Sequence, residues 1–436
     1  MTPAVTMEPG EPLTRPAPRL AEGSKLIGQA EGSGLREAPY LLARADGQVL
    51  QLSRLLFLVA DSCDGRSDTA RIAARVSAAF GRRLSAGDIG YLLDQKLAPL
   101  GVLEGTAAPE RVDPLLGLRF RVGVVPPRAV AAIGRFFSPL LMPPIVAAVV
   151  LGLVWVDIWL LVVHGLGASI ETVIYEPTLL LALTAAMVLT LAFHECGHAA
   201  ACRYDGARPG AMGVGIYLIM PAFYTDLTDT YRLGRAGRLR ADLGGVYFSA
   251  IVALVAAGIY FATAFEPVLL LVVLAQLQIL DQFLPWLRLD GYYVVSDLIG
   301  VSDPFARIKP VLLSFIPGRP ADPRVRELKP WARAALTVWV LSAIPALAVM
   351  LVFVVYHAPG MLAMTHDSLL TQVDAVAEGL AAGRPGDVLL GALGVALLSI
   401  PVVGLVLNAV WFAQRGLRAM VRALRARVAA PAPRGA

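Results

Sequence analysis

The sequence is short of charge, of cysteine and of histidine, and each shortage excludes something. Asp, Glu, Lys and Arg supply 16% of the 436 residues, whereas soluble globular chains carry about a quarter. That balance excludes an intrinsically disordered chain, which needs high charge and little apolar content, and it argues against a purely soluble enzyme. Three cysteines, Cys63, Cys196 and Cys202, are too few for a disulfide framework and suit a reducing compartment. Five histidines are too few for a membrane di-iron oxygenase, which needs several His boxes. Lysine is nearly missing, at four of 38 basic residues. The first 35 residues are rich in Pro, Gly and Glu and lack the apolar stretch of a signal peptide. Membrane entry is therefore expected from an internal segment.

What the chain has in excess is apolar length: 57% of its residues are apolar and its mean hydropathy is +0.65. Crossing the hydrocarbon takes about 20 apolar residues, and six stretches qualify, at about 140–163, 178–202, 243–264, 267–287, 332–356 and 387–413. The segments between them are biased in charge. Arg203, Arg208, Arg232, Arg235, Arg238 and Arg240 follow the second stretch, and Arg307, Lys309, Arg319, Arg324, Arg326 and Lys329 follow the fourth. The segments 164–177 and 357–386 hold one basic residue, Arg384, and are expected to be outer loops. The positive-inside rule then puts both termini in the cytoplasm of a multi-pass cell-membrane protein, in agreement with an even number of spans. The same placement explains the net charge of +5 without a nucleic-acid partner. The tail 414–436 carries Arg415, Arg418, Arg422, Arg425 and Arg427, and over 414–428 reads either as a stop-transfer flank or as a basic amphipathic helix on anionic headgroups.

The part before the first span has ordinary charge density. Tyr40–Ala45 and Gln48–Ser53 read as two strands around an Asp46-Gly47 hairpin turn. Helix-period segments follow at about 52–63, 68–80 and 86–98, with Ser67 and Ser85 as N-cap candidates. With Leu50-Gln-Leu-Ser53, Asp61-Ser-Cys-Asp-Gly65 and the segment from Leu92 to Leu103, this pattern resembles the PqqD-like fold, a winged-helix module that holds leader peptides of ribosomally made peptides. The resemblance implies a leader peptide as partner, and a structural or oligomerising winged-helix domain is the alternative. The expected layout is a disordered 1–17, this domain at 18–106, a linker at 107–138, a membrane core at 139–331, two further helices within 332–413, and the tail.

The chemistry sits at the inner end of the second span, in Leu191-Ala-Phe-His-Glu-Cys-Gly-His198. On a helix His194 and His198 are one turn apart on one face and can reach one Zn²⁺. Glu195 is then near enough to take a proton from water at the ion. Ionisable residues within a span are expensive, which makes the cluster functional by default. A third protein ligand is needed. His164, His357 and His366 lie towards the outer side, and Cys202 is about 12 Å along the axis from His194 at 1.5 Å per residue. A carboxylate at the inner end of another span would serve, and Asp290 in Pro285-Trp-Leu-Arg-Leu-Asp-Gly-Tyr-Tyr293 stands there, with Gly291 free of a Cβ clash at the turn.

HExxH on one span and Leu289-Asp290-Gly291 ending a later one resembles the site-2 protease family of membrane zinc metallopeptidases, and within it the peptide zinc metalloprotease branch. The likeness extends through Pro221-Ala-Phe-Tyr-Thr-Asp-Leu-Thr-Asp229 and from Arg288 to Asp297, covering about 135–330. It implies that Asp290 is the third ligand, that one Zn²⁺ is bound per chain, and that peptide bonds in or near the membrane are cleaved on the cytoplasmic side. Many relatives have Asn where this chain has Gln282, so a substrate-positioning role there would fall to a longer amide.

The segment 207–231 is apolar but broken by Gly and Pro. Irregular backbone at membrane depth must be buried in protein or line a wet cavity, so Gly213–Met220 reads as a strand-like or re-entrant piece where an extended substrate could pair. Tyr224, Asp226, Gln282 and Gly291 are the candidate positioning residues, while loop carboxylates such as Asp226 and Asp229 also commonly cap helices. Asp157 and Asp281 are membrane ionisables with no assigned partner.

The expected fold is thus mainly α, a polytopic membrane protein of about six transmembrane helices around a zinc site, preceded by a small cytoplasmic winged-helix α/β domain. Three function classes compete. A zinc metalloendopeptidase would act on a membrane-associated or ribosomally made precursor peptide, with the bilayer as its other partner. A catalytically idle peptide-binding, export or immunity factor would have lost Glu195 or a ligand. A zinc transporter would want further ligands along its path. Topology is testable directly: reporter fusions after Arg203 and Arg240 should report cytoplasm and fusions near Ile170 and Asp374 the outside, and an outside signal at Arg240 would overturn the assignment.

Overall fold

The computed structural model describes residues 17–46, 48–107, 117–164, 177–318, 320 and 322–429. The expected disordered start, the fusion point Ile170 and the residue Arg319 lie outside them. The chain is mainly helical and divides into two compact units, Met1–Val112 and Asp113–Ala436.

The first unit is a three-stranded antiparallel sheet followed by three helices. The hairpin read from the sequence is β2 (Tyr40–Ala43) and β3 (Val49–Leu52), and it pairs with a strand the sequence reading missed, β1 (Lys25–Gln29), in the order β1-β2-β3. A bulge at Ile27, between the paired Leu26 and Gly28, breaks the alternation of β1, which hid it. The helices are α1 (Arg54–Asp61), α2 (Thr69–Phe80) and α3 (Ala86–Leu92), the last running on through a π turn at Leu93–Leu97 and a 3₁₀ turn at Ala98–Leu100. Leu42, Val59, Ile72, Val76, Ile89, Leu97 and Val102 form a fully buried core, and each contributes about 1.5–3 kcal/mol by leaving water.

The caps explain where the helices begin. Ser85 caps α3 with a reciprocal box to Asp88. The cap of α2 is Asp68, which accepts from Arg71 N–H at 2.8 Å, and not the expected Ser67. Ser67 is used elsewhere: its N–H and Oγ both donate to Asp64, at 2.8 and 3.0 Å.

The second unit opens inside the segment expected to be a linker. The alternating, β-branched run Arg119–Val125 forms β4, and Pro127 at the first helical position starts α4 (Pro127–Phe137). The helix α5 (Pro143–Trp159) continues through a π segment to His164. Then come α6 (Pro177–Tyr204), the hairpin β5 (Met212–Tyr217) and β6 (Met220–Thr225), α7 (Arg235–Thr263), α8 (Glu266–Gln282) and α9 (Asp290–Ile299). Two short helices, α10 (Ile308–Leu313) and α11 (Pro323–Arg326), lead to the long α12 (Pro330–Ala381) and α13 (Pro385–Ala429).

Among the described residues, four helical segments are long and apolar enough to cross a membrane: Pro143–His164, Arg235–Thr263, Pro330–Ala381 and Pro385–Asn408. The other two expected spans also form helices. They are α6, of 28 residues, and α8, of 17. The third span begins eight residues before its apolar run because nothing between Arg235 and Leu243 breaks a helix. The expected outer loop 357–386 is instead helix up to Ala381. Its Ala, Leu, Met, Gln and Glu favour helix, and the break comes only at Gly383, with φ 63°, followed by Pro385. The broken segment 207–231 resolves into two strands rather than one, turning at Leu218-Ile219, and joins β4 in the order β4-β5-β6.

The hydrogen bonds on Asp64 give the first unit an acid limit. Donation from the Arg66 and Ser67 N–H groups and the Ser67 hydroxyl pulls its carboxyl from 3.8 down to about 2. A folded value below the unfolded one contributes stability that is present above about pH 4 and is lost as the pH falls towards 2. Hydrogen exchange across residues 54–80, corrected for the intrinsic pH dependence, should show protection falling over that interval in the wild type. In Asp64→Ala protection should start lower and fall less, and parallel curves for the two proteins would refute the assignment.

Candidate metal centre

The centre is built where α6 crosses α7. A Cβ on Gly197 would lie 2.7 Å from Phe248 Cγ and closer still to the Gly244 carbonyl, and one on Gly244 would lie 2.5 Å from the Gly197 carbonyl. Only glycine lets the two main chains approach this closely. Ala201, whose Cβ a side chain on Gly244 would meet at 2.9 Å, and Ala241, both fully buried, extend the seam. The HExxH residues of α6 are thereby pressed against α7, with His194 and His198 4% and 5% exposed.

Each imidazole is oriented from α7. His198 Nδ1 lies 2.8 Å from the Ala241 carbonyl, and His194 Nδ1 lies 3.0 Å from Ser249 Oγ. A carbonyl only accepts, so His198 Nδ1 carries the proton and its Nε2 is left with a lone pair. The Ser249 hydroxyl can accept from His194 Nδ1 in the same sense, which leaves that ring's Nε2 with its lone pair as well. The two Nε2 atoms then face each other at 3.2 Å. Asp290, the first residue of α9, brings Oδ2 to 3.2 Å from His194 Nε2 and Oδ1 to 3.4 Å from His198 Nε2. Its Oδ2 is buried and makes no hydrogen bond.

Two nitrogen lone pairs and a carboxylate converging in a buried space are costly without a cation or a proton between them. Zn–N bonds of about 2.0–2.1 Å in a tetrahedron put neighbouring donor atoms about 3.3–3.4 Å apart, close to the spacing observed. The residues present therefore fit a divalent ion. His194, Glu195 and His198 each offer a ligand atom within 4.8 Å of the others. Thr225, at the end of β6, donates to Glu195 Oε2 at 2.7 Å, with the Glu195 carbonyl 3.2 Å from the same hydroxyl. That bond ties down one carboxylate oxygen and leaves the other for chemistry.

Thr225, Ser249, the Ala241 carbonyl and the Gly244-Gly245 pair were not found from the sequence. The glycine pair inside an apolar run, with a serine four residues on, was the available signal. Gly291 is used for close packing, because a Cβ there would meet the Phe283 carbonyl at 2.6 Å. Asp226 accepts from Thr228 N–H at 3.0 Å and Asp229 from Arg208 N–H at 2.9 Å, so both stabilise the loop before α7. The Tyr224 ring packs beside Gly213, with Arg121 over its face. Gln282 hydrogen-bonds Asp281 at the end of α8, and Asp157 has a partner after all, the amide of Gln276. His164 lies apart from the centre, with Tyr260 and Glu266. Cys196 and Cys202 are free thiols in the packing of α6. Compared with protein families, curated proteins and solved structures, the chain matches none.

Gly245 backs the centre directly: a Cβ there would lie 2.5 Å from His198 Nε2 and closer still to His194 Nε2. Gly245→Ala should abolish stoichiometric metal binding, read as metal content of the purified protein. Gly258→Ala, on the same helix with nothing within 4 Å, should keep the metal and be neutral or stabilising by about 0.5–1 kcal/mol. Full metal content in Gly245→Ala would refute the cradle.

Proposed function

We propose that the protein is a membrane-embedded zinc metalloendopeptidase that cleaves a membrane-associated or ribosomally made precursor peptide. The observation that carries this reading is the convergence of His194 Nε2, His198 Nε2 and both Asp290 oxygens within 3.4 Å, beside a glutamate whose orientation is fixed. His194, His198 and Asp290 would hold the ion. Bound there, zinc supplies Lewis-acid polarisation of water and of the scissile carbonyl. Glu195 has one oxygen occupied by Thr225, and the other accepts the proton of the attacking water and returns it to the leaving amine. An extended substrate added to the edge of β6 would run its main chain past Thr225 and Glu195.

In this reading α5, α6, α7, α8, α12 and α13 are six spans, both termini are cytoplasmic, and the centre opens towards the cytoplasm. The first unit is a PqqD-like winged-helix domain that holds a leader peptide at a sheet edge, β1 or β3. It would raise the local concentration of a tethered substrate without joining the chemistry. An idle peptide-binding, export or immunity factor fits less well, because Glu195 and every ligand are present. A zinc transporter also fits less well: Asp157 and Asp281 are engaged with Gln276 and Gln282 and lead no further ligand towards the centre.

Purified protein should carry about one Zn²⁺ per chain, lost in His194→Ala, His198→Ala and Asp290→Ala. Glu195→Gln should keep the metal and lose cleavage by about 10²–10⁴-fold. Normal zinc content and cleavage in Asp290→Ala would overturn the ligand set. Zinc-loaded wild type that cleaves no peptide or membrane-protein substrate would overturn the peptidase.

A further inference from the structure

The metal centre uses only the first residue of α9, yet the rest of that helix is held by a buried polar cluster with no part in the chemistry. Arg238 of α7 donates from Nε to Asp297 Oδ1 at 3.0 Å and from Nη1 to the Leu233 carbonyl at 2.9 Å. Side-chain exposure is 7% for Arg238 and 19% for Asp297. Asp242 lies beside Asp297, and its Oδ2 is buried with no hydrogen-bond partner.

Helix geometry connects this cluster to the centre. Arg238, Asp242, Gly245 and Ser249 are spaced by four, three and four residues, so they form one stripe along α7. Asp290 and Asp297 are seven residues apart, about 20° short of two full turns, and share one face of α9. Arg238 meets Asp297, while Gly245 backs the histidines that meet Asp290. From Arg238 to Gly245 is also seven residues, the same rise of about 10.5 Å. The two contacts therefore mark one antiparallel register between α7 and α9. At one end stands an ion pair, at the other the metal centre.

We propose that Arg238, with Asp242 and Asp297, is the register key of this helix pair and positions Asp290 for metal binding. A buried ion pair adds little net stability compared with well-packed apolar residues, but a single buried polar contact can fix a register. A slip of one turn displaces α9 by about 5.4 Å. It would part Arg238 from Asp297, and would carry Asp290 out of reach of both histidines. Without the key, a slipped packing of the same apolar faces competes.

The proposal rests on Asp290 as a metal ligand, and its test reads metal binding rather than cleavage. In the full chain, Arg238→Met/Asp242→Leu/Asp297→Leu should keep its thermal midpoint. Its zinc affinity by chelator competition should fall about ten- to a hundred-fold, and the visible spectrum of its Co²⁺ form should change. The swap Arg238→Asp/Asp297→Arg should recover affinity and spectrum, which a purely packing role would not allow. If the triple variant fails to fold, Asp297→Asn is read by the same two measurements. Wild-type affinity and spectrum in the folded variant, or a swap that recovers neither, overturns the proposal. A wild type that binds no zinc removes it together with the centre, whereas one that binds zinc and cleaves nothing removes only the peptidase reading.

Discussion

The approach of α6 to α7 at Gly197, Gly244 and Gly245 is the constraint on which the rest of the second unit depends. Between helices surrounded by lipid there is no hydrophobic drive, so close van der Waals contact has to hold them together. Glycines and a seam of buried alanines supply it, and the same closeness puts the Ala241 carbonyl and Ser249 within hydrogen-bonding distance of the two imidazoles. Packing and the candidate metal centre therefore share one surface. A larger residue in the seam would not just loosen the pair, because it would also take away the acceptors that set the histidine tautomers.

The three-stranded sheet depends on this pair in turn. Its last strand meets α6 through Thr225 and Glu195. Its turn is held by other elements: Arg288 N–H donates to Tyr217 at 2.9 Å, and Asn408 of α13 donates to the Leu218 carbonyl. Arg119 of β4 donates to Asn408 at 2.6 Å and stacks on Trp411 at 3.8 Å. Two main-chain groups that a membrane would not leave bare, the Leu218 carbonyl and the Arg288 N–H, thus have side-chain partners.

Much of this was legible in the sequence. The two histidines, Glu195 and Asp290 stand out by spacing and depth, and the structure brings them together; the helices of the first unit lie within a few residues of their expected bounds, because periodicity and caps are local signals. The misses were of another kind. Ser249 and the Ala241 carbonyl act through a helix contact separated by more than 40 residues, and a backbone carbonyl leaves no mark in a sequence at all. The strand β4 reads as linker because its partner residues lie 87 to 97 positions further on. The helical stretch to Ala381 reads as a loop because the apolar run ends near Tyr356, whereas the helix continues through Pro359 and Gly360 into a segment rich in Ala, Leu and Met.

The two imidazoles are supported by unlike means, a side chain for His194 and the main chain for His198. Genetic variation can therefore reach only one of them. Any codon change at position 249 that removes the hydroxyl alters the support of His194, but no residue of modest size at position 241 can delete the carbonyl that steadies His198. The centre is consequently asymmetric in its mutational tolerance. Its affinity can be tuned gradually through the histidine nearer the middle of α6, while the histidine nearer the end of that helix stays a fixed point as sequences drift.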